Sequence, residues 1–432
     1  MRRRISRRRV LAASVPVAVG LAGCGGGGGG ETDPTMAGGT GAPDGSETTT
    51  ARPGTASFPE LSADDPTYRR WQPGTGDVAG LQDAAYNIGR VRGRRDALPA
   101  GIYERRAGWA MFNGYVGVAF DELDGMMQGL RSRAAVYLGS FGRDDVTERL
   151  AGLPYEQFDR TDGVDYYRWD RTGATTFVGV SDAAVVAGPA WATEDDPAGT
   201  FVAETTSLFA TAAGERPRLH EESELYARYT DAVGWPLYAW VDEPVAAQSG
   251  GVATNDFPPG GEAVPEDVGE SVRTGVAGHV ADGAVVDRYW LWTTDDGPAS
   301  PADVRAAYEN PVVRRAVLTT TGGDEVAVRA DGRVVEVAVL DRVTDPGGGT
   351  DPPLVAVEAT VDGGTLTLEH HGGDPLPLGQ VTVPVGDESL SLGAGELRPG
   401  ESASVDLPDG AAPQAVVYSP PAADVTTIIA KG

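Results

Sequence analysis

The chain has 432 residues, with 63 acids set against 35 Lys and Arg and a formal net charge of -28. Nucleic-acid binding is excluded on that balance, because affinity there rests on Lys and Arg contacts to phosphate. Cys24 is the only cysteine, which excludes disulfides and Cys-ligated metals in the folded regions.

The chain opens MRRRISRRRVLAASVPVAVGLAGC. Six Arg precede an apolar run from Val10 to Leu21, roughly 12 residues against the ~20 that a spanning helix needs. The run therefore reads as the apolar region of an export signal and stays outside fold reasoning. Ser6-Arg7-Arg8-Arg9-Val10-Leu11 resembles the twin-arginine export signal, with Arg7 and Arg8 as its pair. It departs from that pattern at Val10, where Phe or Leu is usual, and at Ala12, where Lys is usual. Leu21-Ala22-Gly23-Cys24 resembles a lipobox: an apolar residue and two small residues before a thiol that becomes the lipidated N-terminus. The resemblance implies signal cleavage after Gly23. It also implies a lipid on Cys24 and residence on the outer face of the cytoplasmic membrane, with the rest of the chain extracellular.

Cleavage would remove six Arg and no acid, leaving a charge of about -34. Lys431 is the sole lysine. This composition resembles secreted proteins of extreme halophiles. In molar salt the Debye length is only ~3 Å and screens the self-repulsion. In dilute buffer the same charge opposes a compact state.

Residues 24–57 read as a Gly- and Thr-rich tether, with too little apolar surface to fold. Its coil reach is ~30 Å. Residues 58–345 read as one α+β region, with a duplicated unit as an expectation, its second copy running from about Ser223 to Leu340. Strands are expected at Tyr115–Phe120 and Ala135–Phe141, and a helix at Arg143–Gly152 with Asp145 and Glu148 at capping-box spacing. Strands follow at Val164–Asp170, Thr175–Val180 and Ala183–Ala187, the last two joined at Ser181-Asp182. Helices are expected at Phe201–Ala213 and Glu222–Val233, then a strand at Pro236–Val241. A long hairpin covers Ser271–Val280 and Ala284–Trp292. A helix runs from Ser300-Pro301 to Asn310-Pro311, and a hairpin covers Val326–Arg329 and Val334–Leu340. The stretch from Tyr137 to Gly188 resembles a segment of uncharacterised haloarchaeal surface lipoproteins and carries no catalytic motif.

Residues 346–353, DPGGGTDPP from Asp345 onward, read as a linker. Residues 354–432 read as nearly all β. Strands are expected at Val355–Val361, Leu366–Glu369, Gln380–Val385, Ser402–Leu407, Gln414–Tyr418 and Val425–Ile429. The spacing suits an immunoglobulin-like sandwich. LTLEHHGGDPLPLGQVTVPVGD, LRPGESASVDL and AVVYSPPAADVTTIIAKG resemble the C-terminal β domain of archaeal type IV pilins. His371-Gly372-Gly373-Asp374 and the Pro399-Gly400-Glu401 turn carry the match. A prepilin signal and a polymerising helix are missing, so the resemblance implies a shared module without filament assembly.

No side-chain constellation marks a reaction. His370 and His371 are neighbours in a strand and face opposite ways. His220 and His279 stand apart from them. A blue-copper site needs a Cys ligand, and the single Cys is the lipidation site. Gly139-Ser140-Phe141-Gly142 lacks nucleophile-elbow spacing, and no P-loop occurs. The acidic clusters Glu194-Asp195-Asp196 and Asp295-Asp296-Gly297 lack EF-hand spacing. No catalytic residue, metal or cofactor is assigned. Three pairs of aromatics at strand spacing are candidate binding faces: Tyr167 with Trp169, Trp290 with Trp292, and Tyr238 with Trp240. Core packing is the competing reading, since aromatics suit half-buried strands. The expected function is a non-catalytic, lipid-anchored structural or interaction protein of a halophile envelope, with envelope or pilus proteins as partners. A ligand- or solute-binding lipoprotein is the alternative, and a carboxylate-dependent hydrolase a third.

Overall fold

The computed structural model describes residues 54–55, 58–59, 64–74, 82–111, 113–129, 134–171, 174–190, 196–242, 271–281, 283–293, 325–331, 334–386, 388–408, 411, 413, 415–423 and 427–431. Arg7, Arg8, Leu21, Ala22, Gly23 and Cys24 lie outside the described residues, as do the expected helix between Ser300 and Asn310 and both acidic clusters apart from Asp196. The architecture is mixed α+β, rich in strands, with several antiparallel sheets. No helix among the described residues is long and apolar enough to cross a membrane.

In chain order the first elements are β1 (Gly54–Thr55), β2 (Gln82–Tyr86), α1 (Ile88–Gly93) and α2 (Ala100–Ala107). Then come β3 (Leu123–Gly129), β4 (Ala135–Gly139), α3 (Arg143–Ala151) and β5 (Glu156–Thr161). β6 (Val164–Arg171), β7 (Ala174–Val180) and β8 (Val185–Ala190) follow, then α4 (Pro197–Ala213), α5 (Leu219–Glu222) and α6 (Glu224–Val233). β9 (Tyr238–Asp242), β10 (Ser271–Ala281), β11 (Ala284–Thr293), β12 (Glu325–Asp331) and β13 (Val334–Arg342) complete a 13-stranded sheet.

Its order is β1-β12-β13-β11-β10-β9-β2-β3-β4-β8-β7-β6-β5. All neighbours are antiparallel except β1 and β12, which run parallel. The two halves share one succession. A meander of three strands (β2-β3-β4 or β9-β10-β11) moves outward from the centre. Later strands then return, so that β8 pairs with β4 and β13 with β11.

Both faces of the sheet are covered, so apolar residues at successive positions of an inner strand enter different cores. In β4, Ala135 and Tyr137 belong to one core, while Val136 and Leu138 belong to the other. Helices α4, α5 and α6 cover the second face through Phe201, Leu208, Leu219, Tyr226 and Tyr229. Helices α1, α2 and α3 cover the first through Ile88, Tyr103 and Val146.

The C-terminal part adds β14 (Val355–Asp362), β15 (Thr365–Gly373), β16 (Leu376–Pro377), β17 (Val381–Val385) and β18 (Glu388–Ser391). β19 (Glu396–Leu397), β20 (Ser402–Asp406), β21 (Ala415–Tyr418) and β22 (Thr427–Lys431) end the chain. They form three small sheets, β14-β15-β20, β16-β19 and β18-β17-β21-β22. Leu366, Val381 and Tyr418 join the core on the first face of the large sheet, so the apolar interior runs on from one part to the other.

Several expectations are corrected. Tyr115–Phe120 is not a strand: Gly114 and Gly117 take φ of 70° and 82°, which breaks the extended run. Val116 and Val118 are nonetheless buried there. The α3 N-cap is Gly142 with no side-chain bond, so Asp145 and Glu148 form no capping box. The helix expected at Glu222–Val233 is α6, which starts two residues later, while Glu222 ends the separate α5. Ser223 separates them and caps α6 by accepting from the Tyr226 N–H. Helix α4 starts four residues earlier than expected, with Asp196 as N-cap and Pro197 in its first turn. The end of the tether also has structure: Gly54 and Thr55 pair with Glu325 and Val326.

Candidate functional site

Strand β11 reads AVVDRYWLWT, and its Asp287 and Arg288 interrupt an otherwise apolar run. Consecutive strand residues point to opposite faces. Each charge therefore enters a different core, and each has built a polar cluster around itself.

On the first face, Asp287 is 1% exposed. The Tyr238 hydroxyl from β9 donates to its Oδ1 at 2.9 Å. Arg106 of α2 lies 3.9 Å from the same oxygen and stacks its guanidinium 3.7 Å from the Tyr238 ring centroid. Gly278 pairs with both Tyr238 and Asp287, and an added Cβ there would overlap the Tyr238 ring. Glycine at 278 is thus what lets the phenol cross its strand to the carboxylate. Asp287 Oδ2 has no hydrogen-bond partner among the described residues. Burial pushes the Asp287 carboxyl above the usual range, against the opposing pull of Arg106 and the Tyr238 hydroxyl. Burial also works against the charge of Arg106. Tyr238, Asp287, Tyr86 and Tyr289 outweigh it and hold the guanidinium above its ordinary value.

On the second face, Arg288 Nε donates to Glu336 Oε2 at 2.6 Å, and its Nη1 donates to the Ala232 carbonyl at 2.6 Å. Arg329 reaches the other oxygen of Glu336 at 2.8 and 3.0 Å. The carboxylate is therefore shared by two guanidinium groups in fork geometry. His279, paired with Val286, is buried on this side. Burial first, then Arg288 and Arg90, push its imidazole down to about 3.

A third cluster seats the C-terminal strands. His371 is the extra residue at a bulge in β15, since Ala356 pairs with Gly372 while Val357 pairs with His370. Its ring meets Trp169 edge-on at 5.4 Å, and its Nε2 lies 3.6 Å from Glu358. His370 instead donates Nε2–H to the Asp374 carbonyl at 2.8 Å. Asp374 Oδ2 accepts from the Leu354 N–H. Gly372 makes room for Leu153, where an added Cβ would overlap that side chain. Helix α2 holds the other side. Glu104 Oε1 accepts from Thr350 N and Oγ1 at 3.0 and 2.9 Å, and Oε2 accepts from Ala422 N at 2.7 Å. Tyr103 donates its hydroxyl to Asp351. The expected linker, 346–353, therefore lies along α2, and the His371–Asp374 step is part of the joint between the two regions.

Tyr167, Trp169 and Trp290 are 7%, 4% and 4% exposed, so these rings are core residues rather than stacking platforms. Trp169 also meets Tyr155 edge-on at 5.5 Å and carries Arg171 over its face at 4.8 Å. Trp290 meets Tyr229 edge-on at 5.8 Å. Tyr238 is buried in the Asp287 cluster. The Trp240 and Trp292 side chains lie outside the described residues. Among the described residues no three His, Cys, Asp or Glu form a group able to hold a metal ion. Sequence reasoning missed Asp287, Arg288, Arg106 and Glu336. The signal was there for the first two, because charges inside a long apolar strand are seldom fully buried unless paired.

No family model matches the chain. No curated protein matches it either. Among solved structures, crystal form I of TP0453 is similar at a TM-score of 0.33 and 10% identity, over 66% of this chain and 94% of that one. A likeness at that level carries no argument about fold or function.

Proposed function

We propose that the chain is a lipid-anchored extracellular protein of a halophile envelope, held by Cys24, whose folded part is a non-catalytic structural or interaction module. The observation that carries this reading is the joint. Trp169, His371 and Glu104 fix the C-terminal strands to the large sheet. A polar tether then ends in one body that presents surfaces, rather than in two lobes that open and close. The export motif and lipobox supply the location. The C-terminal region is, in this reading, a pilin-like, immunoglobulin-like sandwich that has been turned from filament assembly to docking. The shared strand succession of the two sheet halves supports an origin by duplication.

The test has two parts. The Cys24→Ser chain is expected to appear in the medium or to remain unprocessed, and unchanged membrane retention with lipid labelling would contradict the anchor. Crosslinking of the native protein on intact cells in molar salt is expected to recover envelope or pilus components. Recovery of a transporter permease would instead favour a ligand- or solute-binding lipoprotein. That second reading draws on the buried Asp287 oxygen, which has no partner among the described residues.

A further inference from the structure

Gly54 and Thr55, near the end of the expected tether, occupy a built site on the large sheet. Gly54 and Thr55 add a parallel strand to β12, pairing with Glu325 and Val326. Phe58 then lies over a floor of small and aliphatic residues, Ala284, Val286, Ala327, Ala338 and Leu340. Two guanidinium groups lie near its ring, Arg329 at 4.1 Å and Arg288 at 5.5 Å from the centroid. Neither cation is loose. Glu336 holds both, and the Ala232 carbonyl holds Arg288 as well, so the aromatic slot is fixed by bonds that do not involve Phe58. Strand edges offer backbone groups to any extended chain, and cations beside a ring add side-chain selection to that pairing.

We infer that the β12 edge and the Arg288–Arg329 slot form a docking site for an extended segment carrying an aromatic side chain, and that Gly54, Thr55 and Phe58 fill it in cis as a strap. The partner is thus recognised by backbone pairing to β12 and by one ring in the slot. Release of the strap opens the site. Because the strap is the end of the tether, its docking also fixes which edge of the sheet faces the lipid anchor. The docking site goes beyond the envelope reading and stands without it; only the orientation toward the anchor rests on that reading.

The test uses the full-length Cys24→Ser chain, so that introduced thiols are the only ones. Gly54→Cys with Glu325→Cys is expected to crosslink within the chain, independently of protein concentration. Failure to crosslink, while the strand-paired control Glu325→Cys with Leu340→Cys succeeds, would overturn the strap. The probe for docking is a synthetic peptide of residues 51–60 carrying Gly54→Cys, offered to the chain with Phe58→Ala and Glu325→Cys. Mixed-disulfide formation is expected to be at least about tenfold faster with Phe58 in the peptide than with Ala there. Arg329→Ala, a half-exposed position, is expected to remove most of that preference. Equal capture of both peptides, or a preference untouched by Arg329→Ala, would overturn the aromatic slot.

Discussion

Asp287 and Arg288 are adjacent in one strand and have met opposite fates. Arg288 is satisfied: a carboxylate, a carbonyl and a second guanidinium complete its surroundings on one face of the sheet. Asp287 accepts one phenol bond, stands 3.9 Å from Arg106, and keeps a second oxygen without a partner among the described residues. Burial costs both groups, but only the first cost is met by direct hydrogen bonds between ions. The difference teaches where this sheet has closed its polar network and where it has left one buried oxygen open among the described residues. The Arg288 side is a closed network, whereas the Asp287 side relies on one phenol bond and a stacked cation.

That contrast can be broken from either side. Glu336→Leu removes the anion from the closed network and leaves Arg288 buried near a second guanidinium with no carboxylate between them. A loss of about 3–5 kcal/mol is expected from denaturant unfolding in molar salt. A loss below ~1 kcal/mol would mean that water already serves Arg288. On the other side, Gly278→Ala displaces the Tyr238 ring from Asp287 and is expected to cost about 1–3 kcal/mol in the same assay. Tyr238→Phe keeps the ring and removes only the hydroxyl, for about 1–2 kcal/mol. An effect equal to that of Gly278→Ala would show that the bond, not the space, is what glycine protects.

The pH dependence has opposite signs on the two faces. His279 has a folded value depressed to about 3, so the stability it contributes is present above its unfolded value near 6.5. It is lost as pH falls toward 3, by up to about 1.4 kcal/mol per unit. Asp287 has a raised folded value, so its contribution is present in acid and is lost as pH climbs from the unfolded carboxylate range through the folded one. His279→Gln is expected to flatten the acid limb of the stability profile, and Asp287→Asn to flatten the opposing slope. An acid limb unchanged by His279→Gln would place the sensitive group elsewhere.

Much of the strand plan was legible because its strands are rich in β-branched and aromatic residues. β6, β7, β10, β11, β13 and most C-terminal strands fall where the pattern puts them. Gln82–Tyr86 and Leu123–Gly129 were not legible, since QDAAY and LDGMMQG have few such residues and are strands through their neighbours in the sheet. β5 went unread although Asp162-Gly163, both at positive φ, is a hairpin-turn signal. The aromatic pairs showed which residues are strand-borne but not which are covered: Trp169 is hidden by His371, some 200 residues away in sequence. Likewise nothing in ERR of α2 announces that Glu104 binds the C-terminal region while Arg106 turns to the sheet.

The most direct measurement of the central claim, that the sheet and the C-terminal strands form one body, is native-state hydrogen exchange by mass spectrometry in molar salt with rising denaturant. Peptides from β6 and β15, which meet at Trp169 and His371, are expected to lose protection at the same denaturant concentration, and Trp169→Ala to separate them. Loss of protection in β15 well before β6 in the unmodified chain would contradict the account.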